Sequence, residues 1–116
     1  MENYRDLFSL EGKTALITGG TGGLGSAIAL AFLQQGANVA GCGGHPEKAP
    51  GLADYAAQAG RKFLSIRCDI QKQSDIDNML NEIEEQLDTL DILVNSAGMN
   101  RLLRTTRRKP LSRSWD

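Results

Sequence analysis

The sequence predicts an α/β chain, half of a doubly wound parallel sheet with its elements in the order βαβαβαβ. Three observations carry this. Four short apolar runs have strand character, the segments between them have helical spacing or helix-ending glycines, and a glycine-rich turn joins the first strand to the first helix. Strands that alternate with helices pair in parallel through right-handed crossovers.

The first strand is Thr14 to Thr18. The helix after the glycine turn spans about Ser26 to Gln35, with Ile28, Leu30, Ala31 and Phe32 on its apolar side and Gly36 placed to end it. Asn38 to Cys42 forms a second strand, and Gly43-Gly44-His45-Pro46 turns the chain. A second helix runs from about Gly51 to Ala59 and stops at Gly60. Lys62 to Arg67 is the third strand, with Phe63, Leu64 and Ile66 apolar. Ser74 reads as an N-cap with Asp75 and Asp77 in the first turn. Beyond it Ile76, Met79, Leu80, Ile83 and Leu87 recur at helical spacing, and Glu82, Glu84, Glu85 and Asp88 form the solvated face. Ile92 to Asn95 is the fourth strand, followed by Ser96-Ala97-Gly98.

The turn Thr18-Gly19-Gly20-Thr21-Gly22-Gly23-Leu24-Gly25 is where chemistry enters. Leaving a strand and entering a helix this fast needs backbone angles that side chains forbid. The first turn of a helix has N–H groups without partners and a partial positive charge, which suits a pyrophosphate. Two registers fit: Gly20-x-Gly22-x-x-Gly25, the dinucleotide fingerprint, and Thr18-Gly19-x-x-x-Gly23-x-Gly25. Both put Gly25 where the helix packs.

Composition bounds the remaining classes. The 116 residues are 41% hydrophobic and 23% charged, as in one modest globular domain. No apolar run approaches the ~20 residues of a membrane helix, and Met1 to Asp6 lacks a signal-peptide pattern, so a cytoplasmic protein is expected. Cys42 and Cys68 end apolar runs and read as small buried hydrophobes. His45 is the single histidine, so no metal site is expected. Charge is uneven: residues 1–100 carry a net −6, and residues 101–116 a net +5. The second block is expected to be a basic tail, disordered or read from a shifted frame, after a folded unit at residues 1–100. Arg107-Arg108-Lys109 could touch phosphates, but a short basic tail of this kind does not make nucleic acid an expected partner.

Thr18-Gly19-x-x-x-Gly23-x-Gly25, then Cys68-Asp69-Ile70, then Asn95-Ser96-Ala97-Gly98 occur together at consistent spacing, after a lead-in of Phe8-Ser9-Leu10-Glu11-Gly12-Lys13. The chain thereby resembles the N-terminal half of a short-chain dehydrogenase/reductase over roughly residues 7–103. The resemblance implies a Rossmann half-domain with strand order 3-2-1-4 and an NAD or NADP cofactor. It implies that Gly19, Gly23 and Gly25, with Thr21 and Leu24 beside them, cradle the pyrophosphate. Asp69 would bind the adenine amino group and Ile70 would wall it. Asn95, Ala97 and Gly98 would line the adenosine side, and Thr18 would tie the glycine turn to the fourth strand. Gly36-Ala37-Asn38-Val39 and Asp91-Ile92-Leu93-Val94-Asn95 are similar to sugar-acid dehydrogenases of the 2-deoxygluconate or gluconate type.

The chain departs from the family pattern in two places. The end of the second strand, where an acid would select NAD and a base NADP, reads Gly43-Gly44. Glu47 and Lys48 cancel, and the lack of an arginine at that strand end favours NAD. The family's catalytic Tyr-x-x-x-Lys is also absent: Tyr4 is in the N-terminal extension and Tyr55 has Ala59 four residues on. No residue here is assigned to hydride-transfer chemistry, which leaves a noncatalytic nucleotide-binding module as the alternative. A sheet ending at the fourth strand would expose Ile92-Leu93-Val94 as an apolar edge, open to a second copy or to aggregation.

Overall fold

The computed structural model describes residues 7–20, 22–43 and 50–96. Four parallel strands form one sheet in the order β3-β2-β1-β4: β1 (Thr14–Thr18), β2 (Asn38–Gly43), β3 (Phe63–Arg67) and β4 (Ile92–Asn95). Three helices connect them: α1 (Gly23–Gln34), α2 (Pro50–Gln58) and α3 (Gln73–Leu87). The expected half of a doubly wound sheet, order 3-2-1-4, is present.

β1 lies between β2 and β4 and all five of its residues are buried. Its side chains alternate between two apolar layers. Ile17 packs with Ala29 and Leu33 of α1, Val39 of β2, and Leu52 and Ala56 of α2. Leu16 faces the opposite layer, built with Ala40, Cys42, Ile66 and the buried α3 residues Met79, Ile83 and Leu87. Full burial of a side chain such as Ile83 is worth about 1.5–3 kcal/mol.

Local sequence ends α1 as expected. Gly36 adopts φ +100°, its N–H donates to Leu33 O (3.1 Å), and the Ala37 N–H donates to Phe32 O (3.1 Å). This is a Schellman cap, and α2 ends the same way at Gly60.

Three expectations need correction. α1 begins at Gly23 rather than near Ser26, because extended Gly22 is its N-cap and the Ser26 N–H already bonds Gly22 O (2.8 Å). Ser74 is not the N-cap of α3: Lys72 holds that position with no side-chain cap, and the Ile76 N–H bonds Lys72 O (3.2 Å). The reason is the preceding turn, in which the Lys72 N–H donates to Asp69 O (2.9 Å), so the chain enters the helix before Ser74. Leu80 shares the helical spacing of the core set yet is 41% exposed, because it lines an open groove with Thr89 and Leu90. Among the described residues β4 has one strand neighbour, and Leu93 is 63% exposed. The basic segment at residues 101–116 lies outside the described residues.

Both cysteines are buried, free thiols, as expected. Burial, and then the neighbouring Cys68, pushes the Cys42 thiol up to about 11 from an ordinary 9.0. The folded state therefore holds this proton more tightly than the unfolded chain. Its stabilising contribution should be intact below about pH 9 and fall away as pH rises through about 11. Urea melts of wild type and Cys42→Ala at pH 8 and pH 10.5 test this: the gap between them should narrow at the higher pH. A constant gap would contradict it.

Candidate functional site

The carboxyl ends of the four strands carry the expected residues to one edge of the sheet. Thr18 is in register with Cys42 of β2 and with Asn95 of β4, and Gly43 of β2 is in register with Arg67 of β3. In an open α/β sheet this edge is where ligands bind.

The turn between β1 and α1 is fixed by its own backbone. Gly19 has φ +72°, its N–H donates to Cys42 O of β2 (2.8 Å), and the Gly22 N–H donates back to Gly19 O (3.0 Å). A Cβ on Gly25 would lie 1.8 Å from Gly19 O and 2.5 Å from Gly19 C. Gly25 thus lets α1 close onto the turn itself. Gly20 is equally constrained: a Cβ there would lie 2.7 Å from Gly41 Cα and 2.8 Å from Ile17 O. Gly23 is different, since a Cβ there would meet nothing within 4 Å. It borders open space at the helix start, where the N–H groups of Gly23, Leu24 and Gly25 come before Ser26, the first intrahelical donor. No acid sits in that first turn to oppose an anion, and Leu24 is 55% exposed beside it.

Thr18 joins this turn to β4. Its hydroxyl donates to Asn95 Oδ1 (2.8 Å) and accepts from the Ser96 N–H (3.0 Å). The Ser96 hydroxyl donates to the Thr18 carbonyl. The described part of Asn95-Ser96-Ala97-Gly98 is therefore locked to the end of β1 through side chains as well as through the ladder.

Asp69 follows β3 in an exposed turn. Its Oδ1 accepts from the Gln71 N–H (3.0 Å), and its own N–H donates to Asp75 Oδ2 (3.0 Å). Ile70 beside it is 42% exposed. Burial, and then the carboxylates of Asp75 and Asp69, raise the Cys68 thiol.

Of the residues expected in a cofactor site, Thr18, Gly19, Gly23, Leu24, Gly25, Asp69, Ile70 and Asn95 all stand at this edge. Thr21, Ala97 and Gly98 lie outside the described residues, as does His45. Among the described residues no group of three or more side chains could hold a metal ion, and no helix is long and apolar enough to cross a membrane. Sequence reasoning passed over Gly41, Ser96 and Arg67. Gly41 carries no signal until Gly20 is placed on it, and Arg67 is adjacent to Gly43 only through strand pairing.

The turn separates two roles that a sequence cannot distinguish. Gly25→Ala should destabilise the fold by about 1–3 kcal/mol, the usual cost of an overlap without free space. Gly23→Ala should leave stability unchanged or raise it by up to about 1 kcal/mol, through helix propensity. Urea denaturation of the two variants checks this, and equal destabilisation by both would refute the separation.

The sequence profile of short chain dehydrogenases matches residues 13–114. A sorbose reductase of Candida albicans is 41% identical over 98 residues, which cover 84% of this chain and 34% of that protein. Dehydrogenase/reductase SDR family member 11 of Mus musculus is 37% identical over 103 residues, covering 87% of this chain and 37% of that protein. A crystal structure of a dehydrogenase/reductase from Sinorhizobium meliloti superposes with a TM-score of 0.74 at 41% identity, covering 82% of this chain and 38% of that one. The chain spans about a third of the length of the curated relatives it matches. On the profile match, the identities and the sheet order together, this chain belongs to the short-chain dehydrogenase/reductase family.

Proposed function

We propose that this chain binds NAD or NADP across the carboxyl edge of its sheet and is the cofactor-binding portion of a short-chain oxidoreductase. One observation carries the reading. The bare amino terminus of α1 is held at the end of the central strand by a turn whose glycines are sterically obligatory at Gly20 and Gly25 and open toward solvent at Gly23. An anion there meets three backbone donors and the positive end of the helix dipole. In this reading Gly19, Gly23, Leu24 and Gly25, with Thr21, hold the pyrophosphate. Asp69 and Ile70 take the adenine, and Asn95, Ala97 and Gly98 line the adenosine side. Thr18 positions these groups without touching the cofactor. The cofactor, when bound, supplies the hydride acceptor or donor.

The substrate class we favour is a sugar, sugar acid or related alcohol/ketone. The support is the likeness of two segments, Gly36–Val39 and Asp91–Asn95, to sugar-acid dehydrogenases, together with a relative named as a sorbose reductase. Two free thiols fit a reducing compartment, and we place the protein in the cytoplasm. We also propose that β4 pairs with a second copy. Its four residues carry no charge, whereas β3, the other edge, is flanked by Arg61 and Lys62 and ends in Arg67.

Fluorescence titration of the purified chain should show saturable binding of NADH or NADPH, with no turnover of alcohol or sugar substrates. Absence of binding would remove the dinucleotide reading, and dehydrogenase activity would remove the statement that these residues lack the chemistry. Size-exclusion chromatography with light scattering tests the edge: Leu93→Lys should shift an oligomer toward monomer, and a wild-type monomer at all concentrations would refute the pairing.

A further inference from the structure

The end of β2 is the place where an acid or a base sorts NAD from NADP. Along the sequence that place holds Gly43, and β2 as a whole carries no charged residue. Across the sheet the picture differs. Gly43 is the register partner of Arg67, the last residue of β3, and the two strands remain tied just beyond, where the Cys68 N–H donates to Gly43 O (3.1 Å).

Side-chain alternation says which face this pair serves. Cys42 and its partner Ile66 belong to the apolar layer on the α3 side. Gly43 and Arg67, one residue on, therefore take the other face of the sheet, the side of α1 and α2. That is also the side of Val39 and its partner Phe63. The glycine turn lies over the same face, because Gly20 is pressed against Gly41: a Cβ on Gly41 would sit 3.3 Å from Gly20 C and 3.4 Å from Gly20 Cα. Gly43 is two residues further toward the carboxyl end of β2, about 6.6 Å along the strand. Turn, Gly43 and Arg67 thus form a short row on one face. A dinucleotide whose pyrophosphate rests on the turn would lay its adenosine ribose over the side-chain-free Gly43, beside Arg67.

Resting on the dinucleotide reading above, we infer that Arg67 is the specificity-determining residue of this site: it receives the 2′-phosphate, and the chain prefers NADPH to NADH. A planar guanidinium suits a phosphate dianion through paired, charge-assisted hydrogen bonds. No carboxylate on β2 stands to bind the ribose diol or to repel the phosphate, and the first turn of α2 adds no acid. Arg67 is exposed on an edge strand. The expectation of NAD, drawn from the lack of an arginine at this strand end, counted neighbours along the chain; the arginine here is a neighbour across it.

The experiment is a titration of the purified chain with NADPH and NADH, repeated with Arg67→Gln, Arg67→Lys and Gly43→Asp. Wild type should bind NADPH at least about tenfold more tightly, as expected of one charge-assisted phosphate contact. Arg67→Gln should bring the ratio close to one, Arg67→Lys should keep part of it, and Gly43→Asp should invert it. Circular dichroism of each variant confirms folding, and Arg67→Lys carries the test if Arg67→Gln fails to fold. A wild-type ratio at or below one overturns the inference while leaving the dinucleotide reading intact. So does an Arg67→Gln variant that weakens both cofactors equally, or that alters only the oligomeric state, as a solubilising edge-strand charge would. Binding of neither cofactor by wild type overturns both.

Discussion

The structure depends on how closely α1 approaches the turn that precedes it. With the Gly19 carbonyl less than 2 Å from where a Cβ of Gly25 would be, and Gly20 pressed on Gly41, two backbone contacts set the position of the helix relative to both β1 and β2. The rest follows from that approach. Gly19 can reach Cys42 O, Ala29 and Leu33 can pack on Ile17, and the amino end of α1 arrives at the sheet edge with its first N–H groups facing outward. A helix displaced by one methyl group would lose packing density against both strands.

Thr18 extends this order to β4. A single hydroxyl serves as donor to Asn95 Oδ1 and as acceptor from the Ser96 N–H. The segment after β4 is therefore aligned with the glycine turn even though β4 has only β1 beside it among the described residues. Asp91 does the same at the opposite end, its Oδ2 accepting from the Thr14 N–H (2.9 Å). Polar side chains at both ends of β1 hold β4 in register, while Val94 packs into the layer of α1 and α2. Leu93 of β4 and Leu80 of α3 remain exposed.

Much of this was legible in the letters. The apolar runs, the caps at Gly36 and Gly60, and the spacing of Met79, Ile83 and Leu87 are local signals, and each marks its element to within a few residues. The glycine turn was legible as a tight turn because its geometry is backbone geometry. Element starts were less so. Ser74 has every property of an N-cap, but the Asp69–Lys72 turn has already begun the helix, and Asp75 spends its carboxylate on the Asp69 N–H. Leu80 matches the helical stripe, yet whether a residue on that stripe is buried depends on what lies opposite.

The sequence by itself determined the alternation of strands and helices, the parallel sheet and the glycine turn between β1 and α1, because each follows from local propensity, from periodicity or from the conformational freedom of glycine. Only the tertiary structure decided that Gly20 and Gly41 form one contact, that Gly23 is open where Gly25 is closed, and that Arg67 stands beside Gly43. These relations join residues from different strands, and their separation along the chain carries no information about their distance across the sheet.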